Sequence, residues 1–153
     1  MLAKEINTFS KIIHNAFPHT QSALIVFVGD DYTRLDFHHL GKQGRIHEVP
    51  FGTKHLTERI AKAFNIPQTI ASNYLALFRN NSLDAKTTRR VEEILESSRD
   101  EFVELWENGE NFKVDSPYAV FLHAEAPFEE AFSSIIERIS PHNKIGVFSK
   151  FLN

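Results

Sequence analysis

Cysteine is absent from this chain. That excludes disulfides and thiolate metal sites, and it fits a reducing compartment. Long apolar runs are absent too: none approaches the ~20 residues of a membrane-spanning helix, so direct membrane insertion is not expected. Met1 to Phe17 lacks a long apolar core and a small-residue cleavage site, so it does not read as a secretory signal. The expected location is cytoplasmic. There is no excess of positive charge. The formal net charge is −3 and the sequence pI about 6.2, a balance that suggests neither nucleic acid nor an anionic membrane as partner. Internal repeats, low-complexity tracts and signs of a second domain are also missing, so Met1–Asn153 reads as a single domain. Phenylalanine, by contrast, is abundant. Its 14 copies among 42% hydrophobic residues point to a core dominated by aromatic packing.

The chain turns on Gly29-Asp30-Asp31-Tyr32-Thr33. The apolar run Leu24 to Val28 leads into this stretch and reads as a central strand buried on both faces. Ser22 to Val28 is the first strand. Tyr32 to Leu40 is the second, with Leu35 and Phe37 on one face and Arg34, Asp36 and His38 on the other. Gly41-Lys42-Gln43-Gly44 is a turn by composition, and Arg45 to Phe51 is the third strand, ending at Pro50. Upstream, Ile6, Phe9, Ile13 and Phe17 lie at helical spacing, which predicts a core-facing helix over Ala3 to Phe17 stopped by Pro18.

Downstream, Gly52-Thr53 opens a helix running to about Asn65, with Thr53 as its cap and Leu56, Ile60, Ala63 and Phe64 as its stripe. A second helix spans about Gln68 to Phe78 and carries Ile70, Tyr74, Leu77 and Phe78. The longest runs from Asp84 to about Asn108. One side bears Val91, Ile94, Leu95, Phe102, Leu105 and Trp106. The other bears Arg89, Arg90, Glu92, Glu93, Glu96, Arg99, Asp100 and Glu101, and reads as a solvated face. Tyr118 to His123 is a fourth strand, Pro127 to Ile139 an amphipathic helix, and Lys144 to Leu152 a fifth strand.

Three antiparallel strands followed by alternating helix and strand predict an α/β fold built on a mixed five-stranded sheet. Helices would cover both faces, and right-handed crossovers would bring the later strands beside the first. This is the ribonuclease-H-like order, βββαβαβ, with helices inserted between the third and fourth strands and one helix added at the N-terminus.

Three segments resemble the second large subdomain of the actin-like ATPase superfamily, and within it the cell-division protein FtsA and the pilus-assembly protein PilM. Phe27-Val28-Gly29-Asp30-Asp31-Tyr32-Thr33-Arg34-Leu35 is similar to the second phosphate loop, D-I-G-x-G-T-T-D-L. Val49-Pro50-Phe51-Gly52-Thr53 through Ala61 is similar to the strand-to-helix passage I-P-x-G-G-x-x-[ST]-x-x-I-A. Val120-Phe121-Leu122-His123-Ala124-Glu125-Ala126 is similar to the adenosine loop, V-x-L-T-G-G-x. The likeness covers about Ser22 to Glu137. It implies a phosphate loop at Gly29, Asp30, Asp31 and Thr33 and an adenosine loop at Ala124 and Glu125. It also implies a protein partner in a membrane-associated division or pilus-type assembly.

Departures from the pattern imply that this nucleotide site is vestigial. The family's acidic residue that works through magnesium is Phe27 here, the glycine at the turn's tip is Asp31, and the two adenosine-loop glycines are Ala124 and Glu125. A phosphate cradle needs bare backbone N–H groups, which glycine leaves accessible. Carboxylates in those places repel phosphate unless a metal intervenes. The other half of an actin-like protein, with its first phosphate loop, has no counterpart in these residues. The expectation is a non-catalytic binding or scaffolding domain with no cofactor. The alternative is a metal-dependent nucleotide-binding protein or hydrolase that holds ATP and magnesium through Asp30 and Asp31, with Glu125 as a further metal-binding carboxylate.

Other constellations are weaker. Asp30, Asp31 and Glu125 also suit a two-metal nuclease, but no basic or aromatic cluster for a nucleic-acid substrate accompanies them. His38 and His47 lie on adjacent strands where they could approach each other, and His39 and His55 are nearby in sequence, yet no third zinc ligand stands at suitable spacing. Ser10, Ser72, Ser133 and Ser134 have no nucleophile-elbow context.

Overall fold

The computed structural model describes residue 11 and residues 22–39, 42–108, 119–139 and 145–147. The expected helix over Ala3 to Phe17 and most of the expected fifth strand lie outside the described residues. Five strands make one mixed sheet: β1 (Ser22–Val28), β2 (Thr33–His39), β3 (Lys42–Val49), β4 (Ala119–His123) and β5 (Ile145–Val147), in the spatial order β3-β2-β1-β4-β5. β1 pairs antiparallel with β2 and parallel with β4, β2 pairs antiparallel with β3, and β4 pairs parallel with β5. The helices are α1 (Thr53–Phe64), α2 (Gln68–Arg79), α3 (Ala85–Glu107) and α4 (Glu129–Ile139), the last preceded by a short 3-10 turn over Ala126–Phe128.

β1 is central because its alternation has no polar side. Leu24 and Val26 join the cluster formed with the helices, and Ala23, Ile25 and Phe27 are buried on the opposite face. The helix-side layer combines Leu35, Val49, Val120 and Leu122 of the sheet with Leu56 and Ile60 of α1, Leu75 of α2, Phe102 of α3, and Phe132, Ile135 and Ile136 of α4. Phe51 sits in the middle. It lies 5.9 Å from the Phe102 ring and 6.2 Å from the Phe132 ring. His55 stacks on it at 4.9 Å, and the Arg59 guanidinium lies over it at 5.4 Å.

The second face is different in kind. Arg34, Asp36 and His38 all project from β2 onto it. Arg34 Nε donates to Asp36 Oδ1 at 2.7 Å, while Asp36 Oδ2 and both His38 ring nitrogens are buried with no hydrogen-bond partner among the described residues. Burial lowers the His38 pKa from its ordinary value, against the raising effect of the Asp36 charge.

Three local expectations are corrected. The stretch Gly41 to Gly44 is not all turn: β3 already begins at Lys42. The register slips between Asp36 and His38, where β3 uses one residue more than β2, and Gly44 sits in that bulge, where a Cβ would lie 3.1 Å from the Phe37 carbonyl oxygen. The cap of α1 is Gly52, not Thr53; Thr53 is the first helical residue. His38 and His47 do not meet. His38 faces the second side of the sheet, whereas His47 packs edge-on against Trp106 of α3, ring centres 5.1 Å apart.

Candidate functional site

The turn between β1 and β2 is a two-residue hairpin loop, Asp30-Asp31, closed by the Gly29 N–H donating to the Tyr32 carbonyl at 3.0 Å. Its neighbour is the start of α1. A helix start carries N–H groups with no partner inside the helix. Here two of them are taken by the turn: Thr53 N–H donates to Gly29 O at 2.9 Å and Lys54 N–H to Asp30 O at 3.0 Å. The side chains repeat the connection. Thr53 Oγ1 donates to Asp30 Oδ1 at 3.2 Å, and Lys54 Nζ lies 3.3 Å from Asp31 Oδ1 in an exposed ion pair. The Gly52 N–H is taken by His55 Nδ1 at 2.9 Å, which makes Nδ1 the unprotonated nitrogen of that ring.

Gly52 makes this approach possible. A Cβ there would lie 2.4 Å from the carbonyl oxygens of both Gly29 and Asp30. Its φ of −139° is ordinary extended backbone, so closeness rather than conformation demands glycine. Thr33 anchors the outgoing strand: its buried hydroxyl donates to the Phe51 carbonyl at 2.7 Å, tying β2 to the residue just before Gly52.

The sequence-derived site residues are thus divided. Gly29, Asp30, Asp31 and Thr33 come together with Phe51 to Lys54 as one hydrogen-bonded unit. Phe27, in the place of the family's acid, is buried and packs edge-on against His123, ring centres 5.9 Å apart. Ala124 is buried in the helix-side core, and exposed Glu125 caps the 3-10 turn, its carbonyl accepting from Phe128 N–H at 2.9 Å. Among the described residues, no group of three or more His, Asp or Glu side chains converges as a metal site.

Just beyond Glu125 lies a feature that no motif announced, a pocket of about 220 Å³ between α2, α3 and the start of α4. No stripe in the sequence singles it out: Leu75 to Phe78 is wholly apolar, whereas Glu92 to Arg99 and Pro127 to Ser134 mix apolar with charged and hydroxyl residues. Arg99, expected on a solvated face, is half-buried there with its Nη1 donating to Ser134 Oγ at 2.7 Å.

No protein-family model and no curated protein matches the chain. Solved structures do. The archaeal actin homolog Ta0583 superposes with a TM-score of 0.65 at 15% identity, over 94% of this chain and 48% of that one. Ethanolamine utilization protein EutJ from Carboxydothermus hydrogenoformans gives 0.57 at 18% identity, over 90% of this chain and 48% of its own. The PilM–PilN type IV pilus biogenesis complex gives 0.56 at 16%, over 92% and 39%. The chain therefore spans about half the length, or less, of these relatives. What they share with it is the actin-like ATPase fold, and by fold this chain is an actin-like domain resembling part of PilM.

Proposed function

We propose that this chain is a non-catalytic actin-like domain that binds or scaffolds other proteins, its nucleotide site degenerate. The observation that carries this reading is the pair of hydrogen bonds from Thr53 and Lys54 N–H to the Gly29 and Asp30 carbonyls. A phosphate loop serves its ligand by offering unoccupied N–H groups. Here the turn has folded onto those donors and presents Asp30 and Asp31 outward, both exposed. The residues present do not fit a nucleotide phosphate. Phe27 has no group to hold a metal-bound water, and Glu125 adds a carboxylate where the family offers glycine. Two like charges about 4 Å apart repel by roughly 1 kcal/mol even in water.

The likeness to the PilM–PilN complex supports a protein partner in a pilus- or division-type assembly, reached from the cytoplasm. Isothermal titration with magnesium-ATP tests the central claim. The expected result is no saturable binding below about 100 μM and no hydrolysis above background, a range well within what a nucleotide site delivers. Saturable binding that is lost in an Asp30→Asn, Asp31→Asn variant would return the turn to the role of a metal-assisted nucleotide site.

A further inference from the structure

We infer that the pocket between α2, α3 and α4 is a binding site for a compact apolar monocarboxylic acid, held through the Arg99 guanidinium. The reading goes beyond the scaffolding role proposed above and does not rest on it. Arg99 brings a full positive charge into the lining, yet no carboxylate pairs with it among the described residues. Its Nη1 donates to a neutral hydroxyl, Ser134 Oγ, at 2.7 Å, and its buried Nε has no partner. A half-buried guanidinium in this state has lost water without gaining an anion, and an incoming carboxylate makes good that loss. The nitrogen that a ligand meets is Nη2, which has no partner among the described residues and, unlike Nε, is not sealed from solvent.

The walls set the body of the ligand. They are apolar: Leu75 and Phe78 come from α2, Leu95 from α3 and Ala131 from α4, around a volume of about 220 Å³. A cavity of roughly 150 Å³ accepts a benzene ring, so one ring and a short arm fit. The rim sets how much charge that arm carries. Glu92 and Glu130 line the pocket but are exposed, so their repulsion of an anion acts through solvent and is screened. Glu130 also lies in the first turn of α4, where the positive end of the helix offsets part of its charge. Arg79 stands close by, its Nη1 donating at 3.1 Å to the carbonyl of Ala126, next in sequence to the lining residue Pro127. One guanidinium within and two carboxylates at the rim favour a single negative charge over the dianion of a phosphate ester. The planar pair of carboxylate oxygens suits the guanidinium.

The test uses ligands of similar shape and different charge: 3-phenylpropionate, 3-phenylpropanol, 3-phenylpropylamine and phenyl phosphate, titrated calorimetrically and by amide chemical-shift mapping. The expected result is saturable millimolar binding of 3-phenylpropionate, about fivefold or more tighter than the alcohol, the factor that one charge-assisted hydrogen bond supplies. The amine and the phosphate ester should both bind more weakly than the acid. Shifts should centre on Leu95, Arg99, Ala131 and Ser134. In Arg99→Gln the acid should fall to the affinity of the alcohol, while the alcohol binds as before. The double variant Glu92→Gln, Glu130→Gln alters two exposed side chains and leaves Arg99 in place, so it should bind the acid as tightly as wild type or more tightly. That variant and the ligand series on wild type decide the matter even where Arg99→Gln does not fold. The assignment is overturned by no saturable binding of the acid up to about 20 mM. Equal or tighter binding of the amine or of phenyl phosphate, shifts centred elsewhere, an acid affinity unchanged in folded Arg99→Gln, or one weakened in the double variant would overturn it equally. Failure here leaves the magnesium-ATP result untouched, and the reverse holds too.

Discussion

At the scale of single residues, Gly52 and His38 carry opposite kinds of constraint. A methyl group at Gly52 would meet two backbone carbonyl oxygens, which cannot rotate away as a side chain can. Gly52→Ala is therefore expected to destabilise by about 1–3 kcal/mol, the usual range for forced overpacking. A urea midpoint unchanged from wild type would mean the turn does not lie against α1. His38 is constrained by charge rather than space. Its pKa lies below 6.5 in the folded chain because burial penalises the protonated ring. Between the folded value and 6.5, the unfolded chain binds more protons, so this contribution to stability is whole above pH 6.5 and is lost as the pH falls below it. His38→Leu should flatten that loss. Urea-derived stabilities of wild type and variant that run parallel from pH 7.5 to 5.5 would refute it. Neither role could be read from the sequence. Gly52 looked like a helix opener, and the hydrogen bonds that demand glycine come from residues over twenty positions earlier.

At the scale of elements, α3 is held at both ends by different means. Asp84 caps its start, accepting from Thr87 N–H and Thr87 Oγ1, both at 2.8 Å. The Thr87 amide is the main reason the Asp84 carboxyl titrates below its ordinary value. This contribution is present above the unfolded pKa near 3.8 and is lost as the pH falls through the folded value. At the far end, Trp106 lies half-buried against His47 of β3. Trp106→Ala should cost roughly 1–3 kcal/mol, less than the 3–5 typical of a sealed aromatic. A cost below about 0.5 kcal/mol would mean that α3 is not fastened to β3 through this ring. The middle of α3 is fixed by Arg59 of α1, which donates to Ser98 Oγ at 2.9 Å and pairs with Glu101. The existence of each helix was legible, since an apolar stripe needs only local spacing. What stayed hidden was which charges turn inward: Arg59 and Arg99 look like surface residues until Ser98 and Ser134 are seen beside them.

At the scale of the whole molecule, among the described residues one core cluster joins the helix-side face of the sheet to α1, α2, α3 and α4. Small single domains usually unfold in one step. Urea transitions followed by far-UV circular dichroism and by Trp106 fluorescence should therefore coincide. Separate midpoints would show that α3 leaves the sheet on its own. The α/β character was plain in the sequence because β1 is apolar on both sides, as a strand between covered faces must be. The slip in β3 was not, because Gly44 suits a turn and a bulge equally well and only pairing with Phe37 distinguishes them. The resemblance to actin-like motifs picked out the Asp30-Asp31 turn and the Gly52-Thr53 helix start as two separate segments; that they lie against each other is seen only in the structure. The resemblance could not say that the turn's own carbonyls would occupy the helix's donors: the one mark they leave is Gly52, and a glycine before a helix does not say which atoms approach it.

Those two donors give the molecule a built-in clock. Amide protons in the first turn of a helix ordinarily trade with solvent quickly, having no partner. The Thr53 and Lys54 protons have partners in another part of the chain, so they can trade with deuterium only when the β1–β2 turn lifts away. Their exchange rates therefore measure how often that turn opens in the intact protein, with no ligand, label or mutation required. Gly52→Ala should speed both rates together and leave those in the last turn of α3 unchanged.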